Sequence, residues 1–149
     1  MYQEHRNASF LLSTDPGKLD LDAIHAFLSN ESYWAKGIPK AIMRRAIENS
    51  LCFGVYENRK QVGFARIITD HATFAYLCDV YILETHRGKG LAKWLMSAVM
   101  AHPTMQGLRR INLVTRDAHR LYKKFGFTEL NNPDGYMELV RRDIYQKAL

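Results

Sequence analysis

The sequence predicts a mixed α/β fold of α+β type, built on a mostly antiparallel sheet in the order β-α-α-β-β-β-α-β-α-β-β. Three observations carry this reading. Two stretches of helical spacing, Leu21/Ile24/Phe27/Leu28 and Ile42/Met43/Ala46/Ile47, come before a block of strand-like runs. A turn signal, Asn58-Arg59-Lys60, joins two of those runs as a hairpin. An apolar strand then passes through a glycine-rich turn directly into a further helix, which places a strand–loop–helix unit at the centre of the fold.

Residues 8–13 read as a short first strand, closed by the turn Asp15-Pro16-Gly17. Asp20 is the N-cap of the first helix, and Pro39 precedes the second. Between the two helices lies a loop, 30–39, carrying Tyr33 and Trp34. Strands are expected at 51–57 and 61–69. A third strand at 73–83 is apolar on both sides and so belongs inside its sheet. After Gly88 and Gly90, Leu91, Trp94, Leu95, Ala98 and Val99 mark a helix that Pro103 and Gly107 end. A strand at 110–115, a short helix at 117–125 closed by Gly126, and strands at 127–130 and 136–141 complete the order.

The 149 residues suit one domain, 1–149, with a single core. With 47% hydrophobic and 24% charged residues the chain has ordinary globular composition. There is no apolar run long enough to span a bilayer and no signal-peptide pattern at the start, so no membrane partner is expected. Cys52 and Cys78 both sit in apolar strand-like runs, as reduced core thiols do, which favours a cytoplasmic location. The net charge of +6 fits a nucleic acid or a phosphorylated small molecule equally. The cations are dispersed in pairs rather than gathered in a tract, so no nucleic-acid partner is expected. Neither Cys-x-x-Cys nor His-x-x-x-His spacing occurs, and no metal is expected.

The informative stretch runs from Cys78 to Met96. The first amides of a helix lack intrahelical acceptors and lie at the positive end of its dipole, which suits an anion. Gly88 and Gly90 carry no Cβ, so a phosphate can approach the backbone, and Arg87, Lys89 and Lys93 add cations. The Walker spacing is absent, and a dinucleotide fingerprint would need a third glycine where Lys93 stands. The competing reading is a plain turn that needs glycine for its backbone angles.

Downstream lies a second motif, Thr115-Arg116-Asp117-Ala118-His119-Arg120-Leu121-Tyr122-Lys123-Lys124-Phe125-Gly126-Phe127. With it, the sequence resembles the GNAT superfamily of acyl-CoA N-acyltransferases. That superfamily carries Arg/Gln-x-x-Gly-x-Gly/Ala after its fourth strand, matched here by Arg87, Gly90 and Ala92. It also carries Ala-x-x-Leu-Tyr-x-Lys-x-Gly-Phe on the following helix, matched by Ala118, Leu121, Tyr122, Lys124, Gly126 and Phe127. The resemblance implies acetyl-CoA as co-substrate, with the backbones of Val80, Tyr81 and Ile82 along its pantetheine arm. It implies a pyrophosphate held by the amides of Gly88, Lys89, Gly90, Leu91, Ala92 and Lys93, and Tyr122 near the thioester sulfur. Thr115 stands where many members have an Asn that contacts the CoA arm. The loop between the first two helices borders the acceptor pocket in such proteins, and members often pair through edge strands, which makes 136–141 a candidate dimer strand.

Acetyl transfer to an amine needs a neutral nucleophile, a stabilised oxyanion and a proton for the departing thiolate. The Ile82 amide is a candidate for polarising the thioester carbonyl. Tyr122 is the candidate acid: from an ordinary pKa near 10 to a thiol near 8.5, the transfer is uphill by about 2 kcal/mol. The alternative for Tyr122 is packing on an amphipathic helix. Asp79, unusual within a strand, could anchor or deprotonate the amine, or could simply satisfy the backbone or Arg66. Strict alternation places it with Leu77 and Tyr81, opposite Cys78, Val80 and Ile82. Tyr33 and Trp34 form either an aromatic wall for the acceptor or an apolar anchor for their loop. Glu84, His71 and His119 read as surface groups, His86 as packing for the loop, and Arg44-Arg45 as a polar helix face. Two other classes are a CoA-binding sensor without turnover and a basic nucleic-acid module, against which the dispersed cations count.

Overall fold

The structure, a computed structural model, describes residues 1–147, and the side chain of Lys147 is outside the description. Six strands form one sheet in the order β1-β2-β3-β4-β5-β6: Glu4–Asn7, Phe10–Ser13, Leu51–Glu57, Lys60–Thr69, Phe74–Ile82 and Arg110–Leu113. All neighbours are antiparallel except β5 and β6, which run parallel from Phe74↔Arg110 to Leu77↔Leu113. Helices α1 (Leu21–Asn30) and α2 (Lys40–Glu48) cover one face; α3 (Leu91–Ala101) and α4 (His119–Lys123) cover the other.

Local chemistry starts the first helix, and packing holds it and α3 to the sheet. Asp20 caps α1, its carboxylate accepting from Ala23 N–H at 3.0 Å, while its own N–H donates to the buried Gln61 side chain at 2.8 Å. That second bond ties the helix start to β4. Ile24, Phe27 and Leu28 then bury against Phe64 and Tyr81. On the opposite face Leu95, Met96 and Val99 of α3 bury against Phe53, Val55, Ala65 and Leu77. Each such side chain contributes roughly 1.5–3 kcal/mol by leaving water.

Three expectations are corrected. Residues 8–13 are not one strand: Ala8, at φ +52°, and Ser9 turn the chain between β1 and β2. Strand β1, Glu-His-Arg-Asn, is exposed throughout and has no apolar side chain to betray it. The last two strands, at 127–130 and 136–141, do not form; both segments carry strand-favouring residues but have no paired neighbour. A short α5 (Ile144–Lys147) ends the described chain instead.

The third correction concerns Asp79. Between Phe64↔Tyr81 and Arg66↔Cys78 the β4–β5 register slips, and Asp79 takes a left-handed φ of +53°. This is a β-bulge, and one extra residue reverses the alternation beyond it. Leu77 therefore shares the α3 face with Val80 and Ile82, and Asp79 and Tyr81 turn to the α1/α2 face. Cys52 and Cys78 each pair with Arg66 from opposite sides. Two strand spacings, about 10 Å, then separate them, too far for a disulfide.

Candidate active site

The glycine loop ends in α3, with Gly88 at φ +79° and Gly90 at φ +78°. Nothing lies within 4 Å of where a Cβ would stand on either, so the loop is open on its outer side. Gly90 caps α3 without a side-chain bond, and the first intrahelical bond runs from Trp94 N–H to Gly90 C=O. The amides of Leu91, Ala92 and Lys93 precede that bond and face out of the helix start. Arg87 donates from Nε to Ile82 C=O at 3.1 Å, and Lys89 Nζ stands 6.0 Å over the Phe10 ring. His86 packs the loop from below, Nε2 lying 2.9 Å from Glu57 and its ring edge-on to Phe10.

Beside the loop the sheet splits. Pairing between β5 and β6 stops at Leu77↔Leu113, so beyond it the β6-facing edge of β5 has no strand partner. A cavity of about 700 Å³ fills the divergence, lined by Cys78, Asp79, Val80, Tyr81 and Ile82 on one side. Leu113, Val114, Thr115, Arg116, Ala118 and Tyr122 line the other, and Arg87 and Ala92 continue it into the glycine loop. The bulge and the parting of the strands coincide, and the parting leaves β5 a free backbone edge toward β6.

Tyr122 is buried on α4 and faces this cavity. Burial, then the neighbouring Tyr33 and Asp117, push its phenol up to about 12. Thr115 Oγ1 accepts from Ala118 N–H at 3.0 Å, holding the turn that starts α4, and the residue lines the cavity. Burial pushes the Cys78 thiol, on the same wall, up to about 12.

Both aromatic residues of the 30–39 loop line the cavity, and both are tied to it. Trp34 donates from Nε1 to Asp79 Oδ1 at 2.7 Å, and Arg66 Nε donates to Asp79 Oδ2 at 2.7 Å. Arg66 is in turn bonded to Ser50 at 3.2 Å. Trp34 sits edge-on to Tyr33 and leans on Phe27, which stacks on Tyr81 at 3.8 Å between centroids. The Tyr33 hydroxyl accepts from Arg116 N–H at 3.0 Å, and the Arg116 guanidinium lies 3.8 Å over the Tyr33 ring. Tyr33 thus bridges the α1–α2 loop to the β6–α4 loop across the cavity.

The structure therefore brings Tyr122, Asp79, Tyr33, Trp34, Thr115, Arg87, Ala92 and residues Val80, Tyr81 and Ile82 to one cavity. Gly88, Lys89, Gly90, Leu91 and Lys93, also expected at the site, do not line this cavity: Leu91 is buried and the other four are exposed. His71 lies in the β4–β5 turn, bonded to Thr104, and Glu84, His119, Arg44 and Arg45 face solvent. Sequence reasoning missed Arg116, Phe27 and Glu31 as lining residues. Arg116 falls within the second motif, but no local pattern points it at a residue 83 positions earlier.

The family description "Acetyltransferase (GNAT) domain" matches residues 48–129. A protein of Gibberella zeae named as a candidate acetyltransferase is 36% identical, over 89% of this chain and 87% of that one. The crystal structure of a GNAT-family candidate acetyltransferase from Xanthomonas campestris pv. campestris is 52% identical, with a TM-score of 0.89 over 91% of this chain and 96% of that one. A structure titled as a predicted acetyltransferase with acetyl-CoA, from Clostridium acetobutylicum, shares the fold at 17% identity and a TM-score of 0.58, over 94% of this chain and 96% of that one. With its sheet, its split and its glycine loop already described, the chain belongs to the GNAT acetyltransferase family.

Proposed function

We propose that residues 1–149 act as a single cytoplasmic N-acetyltransferase domain that moves the acetyl group of acetyl-CoA to a primary amine of a small molecule or protein, by direct attack in a ternary complex. One observation carries this: a continuous site with outward amides at a helix start, an unpaired strand edge and a buried phenol in sequence along one cleft. A pyrophosphate is met by the amides of 88–93 and by Arg87, Lys89 and Lys93. An extended amide-bearing arm is met by the free edge of β5 at Val80, Tyr81 and Ile82, and by the Thr115 hydroxyl.

At the far end Tyr122 serves the departing sulfur. With its phenol at about 12, against about 8.5 for a thiol, full transfer is uphill by about 5 kcal/mol, more than an unperturbed tyrosine would pay. The phenol acts first as a hydrogen-bond donor to developing negative charge and completes proton transfer as the bond breaks. Cys78 stays a thiol at neutral pH, which favours direct attack over a thiolate-borne acyl enzyme. Asp79 has both oxygens engaged, by Arg66 and Trp34, which supports a positioning role: it fixes the aromatic wall against which the acceptor rests.

Titration with acetyl-CoA, alongside thiol release over a broad amine panel, tests the reading. Saturable binding with release for at least one amine supports it. Binding without any release would mark a sensor that keeps only the cofactor grip, and no binding would defeat both.

A further inference from the structure

Nothing stands against the outer side of Gly88 or Gly90, so whatever shapes the glycine loop acts from its inner side. Among the described residues, two side chains of 84–90 tie the loop to strands. Arg87 reaches Ile82 C=O, at the end of the strand that the loop follows. His86 reaches Glu57, the last residue of β3 and 29 positions earlier. The His86 side chain is only 12% exposed, so water competes little for that bond.

Glu57 is itself firmly placed. The turn after it has two residues, Asn58 and Arg59, both left-handed at φ +50° and +70°, the tight form that suits a two-residue hairpin. In the β2–β3 register Glu57 stands opposite Phe10, so both side chains project from one face of the sheet. The His86 ring meets both. Its Nε2 lies 2.9 Å from Glu57 Oε1, and its edge faces Phe10 at 6.4 Å between centroids. An ionised carboxylate only accepts, so Nε2 carries the proton and donates. Ser9 donates to the other oxygen, Glu57 Oε2, at 3.1 Å. The bonds from His86 and Ser9 hold the Glu57 carboxyl below its ordinary range, which keeps it an ionised partner. At the far nitrogen, Thr85 Oγ1 lies 2.8 Å from His86 Nδ1. A hydroxyl donates to a neutral ring and accepts from a charged one, so this chain of bonds holds in either state.

We propose that His86 and Glu57 are positioning residues for the cofactor's pyrophosphate, forming a strut that fixes the glycine loop on β2 and β3. The inference rests on the reading of that loop as the pyrophosphate site. Neither residue lines the cleft. They act through the loop amides: a loop that must be ordered when the anion arrives binds it more weakly than one already held in place. The sign of the effect sets this apart from simple electrostatics. By charge alone, deleting a carboxylate beside an anion site tightens binding. Deleting one end of a strut weakens it.

Calorimetric titration of the full chain with acetyl-CoA and with acetyl-pantetheine reads that sign. His86→Ala and Glu57→Ala are each expected to weaken acetyl-CoA about tenfold, the scale of one hydrogen bond to an ionised group. Both should leave acetyl-pantetheine within about twofold, which also shows that the cleft is folded. The double substitution should weaken acetyl-CoA no further than either single one, since the two act through one bond. His86→Gln, whose amide nitrogen donates from the same place, should stay within about threefold of the parent. Unchanged or tighter acetyl-CoA binding in Glu57→Ala would overturn the inference. So would equal weakening of both ligands, or a glutamine variant as weak as the alanine one. A parent chain that binds the two ligands equally would remove the loop's pyrophosphate role and this inference with it. A parent that prefers acetyl-CoA, with His86→Ala preferring it as strongly, would overturn this inference alone.

Discussion

Replacing Gly90 with alanine separates a phosphate site from a mere turn. Gly90 sits at φ +78°, and no atom lies within 4 Å of the new methyl group, so the folded protein meets no clash. The stability cost is then the left-handed penalty alone, about 1–2 kcal/mol, or a few degrees in Tm for a chain of this size. Gly107 is a matched control: φ +75°, equally open, and away from the cleft. Gly107→Ala should lose the same stability. Binding should differ. A methyl group at Gly90 faces the surface that a pyrophosphate must approach, and losing one charge-assisted amide bond costs about 1.5–3 kcal/mol, or roughly 10- to 150-fold in Kd. Calorimetric titration with acetyl-CoA and with acetyl-pantetheine, which lacks the pyrophosphate, completes the assay. Gly90→Ala should weaken acetyl-CoA and spare acetyl-pantetheine, whereas Gly107→Ala should spare both. Equal acetyl-CoA affinity in the two variants, at equal loss of stability, would refute the assignment of the loop.

Three further outcomes are expected. Tyr122→Phe should lower kcat about 100-fold with the acetyl-CoA Kd held within twofold; since the phenol stays protonated to about 12, any alkaline limb near pH 8–9 should survive its removal, and turnover unchanged across pH would defeat the acid role. Trp34→Phe, losing its bond to Asp79, should raise the acceptor KM roughly tenfold and leave acetyl-CoA binding unchanged; a shift in both would mean that the wall shapes the whole cleft. Stability should fall in alkali: burial raises Cys52 and Cys78 from 9.0 to about 12, and raises Tyr56, Tyr81 and Tyr122 above 10.0, so the unfolded chain loses protons first. That stability is fully present below about pH 9 and is lost as pH rises toward 12, with the two thiols alone accounting for about 4 kcal/mol by pH 10.5. Urea midpoints at pH 8, 9.5 and 10.5 that stayed level or rose would contradict it.

What the sequence discloses depends on where the determining contacts lie. The start of α1 is legible because Asp20 and the Ala23 N–H that donates to it are three residues apart, and the glycine loop because its backbone angles demand glycine. Strand β1 is invisible because a fully exposed edge strand has no apolar rhythm. Residues 127–130 and 136–141 read as strands by composition, but pairing is a property of neighbours, and among the described residues neither segment is paired. Of the cleft, Tyr122 and the residues of the two motifs are readable locally. The Tyr33–Arg116 bridge and the Trp34–Asp79–Arg66 chain are not, because they join residues 83, 45 and 13 positions apart.

The bulge at Asp79 has one more consequence. A strand of strict alternation is a two-colour code, and a single left-handed residue changes its phase midway. Before the change, Ala75 and Leu77 serve the α3 core; after it, Val80 and Ile82 do, while Tyr81 is handed to the opposite layer. Deleting one residue here would transpose the colours of everything downstream, driving Tyr81 toward α3 and Ile82 toward α1. The chain should therefore tolerate Asp79→Asn, which keeps the phase at the expense of the anchor, far better than any change in the number of residues between Cys78 and Tyr81.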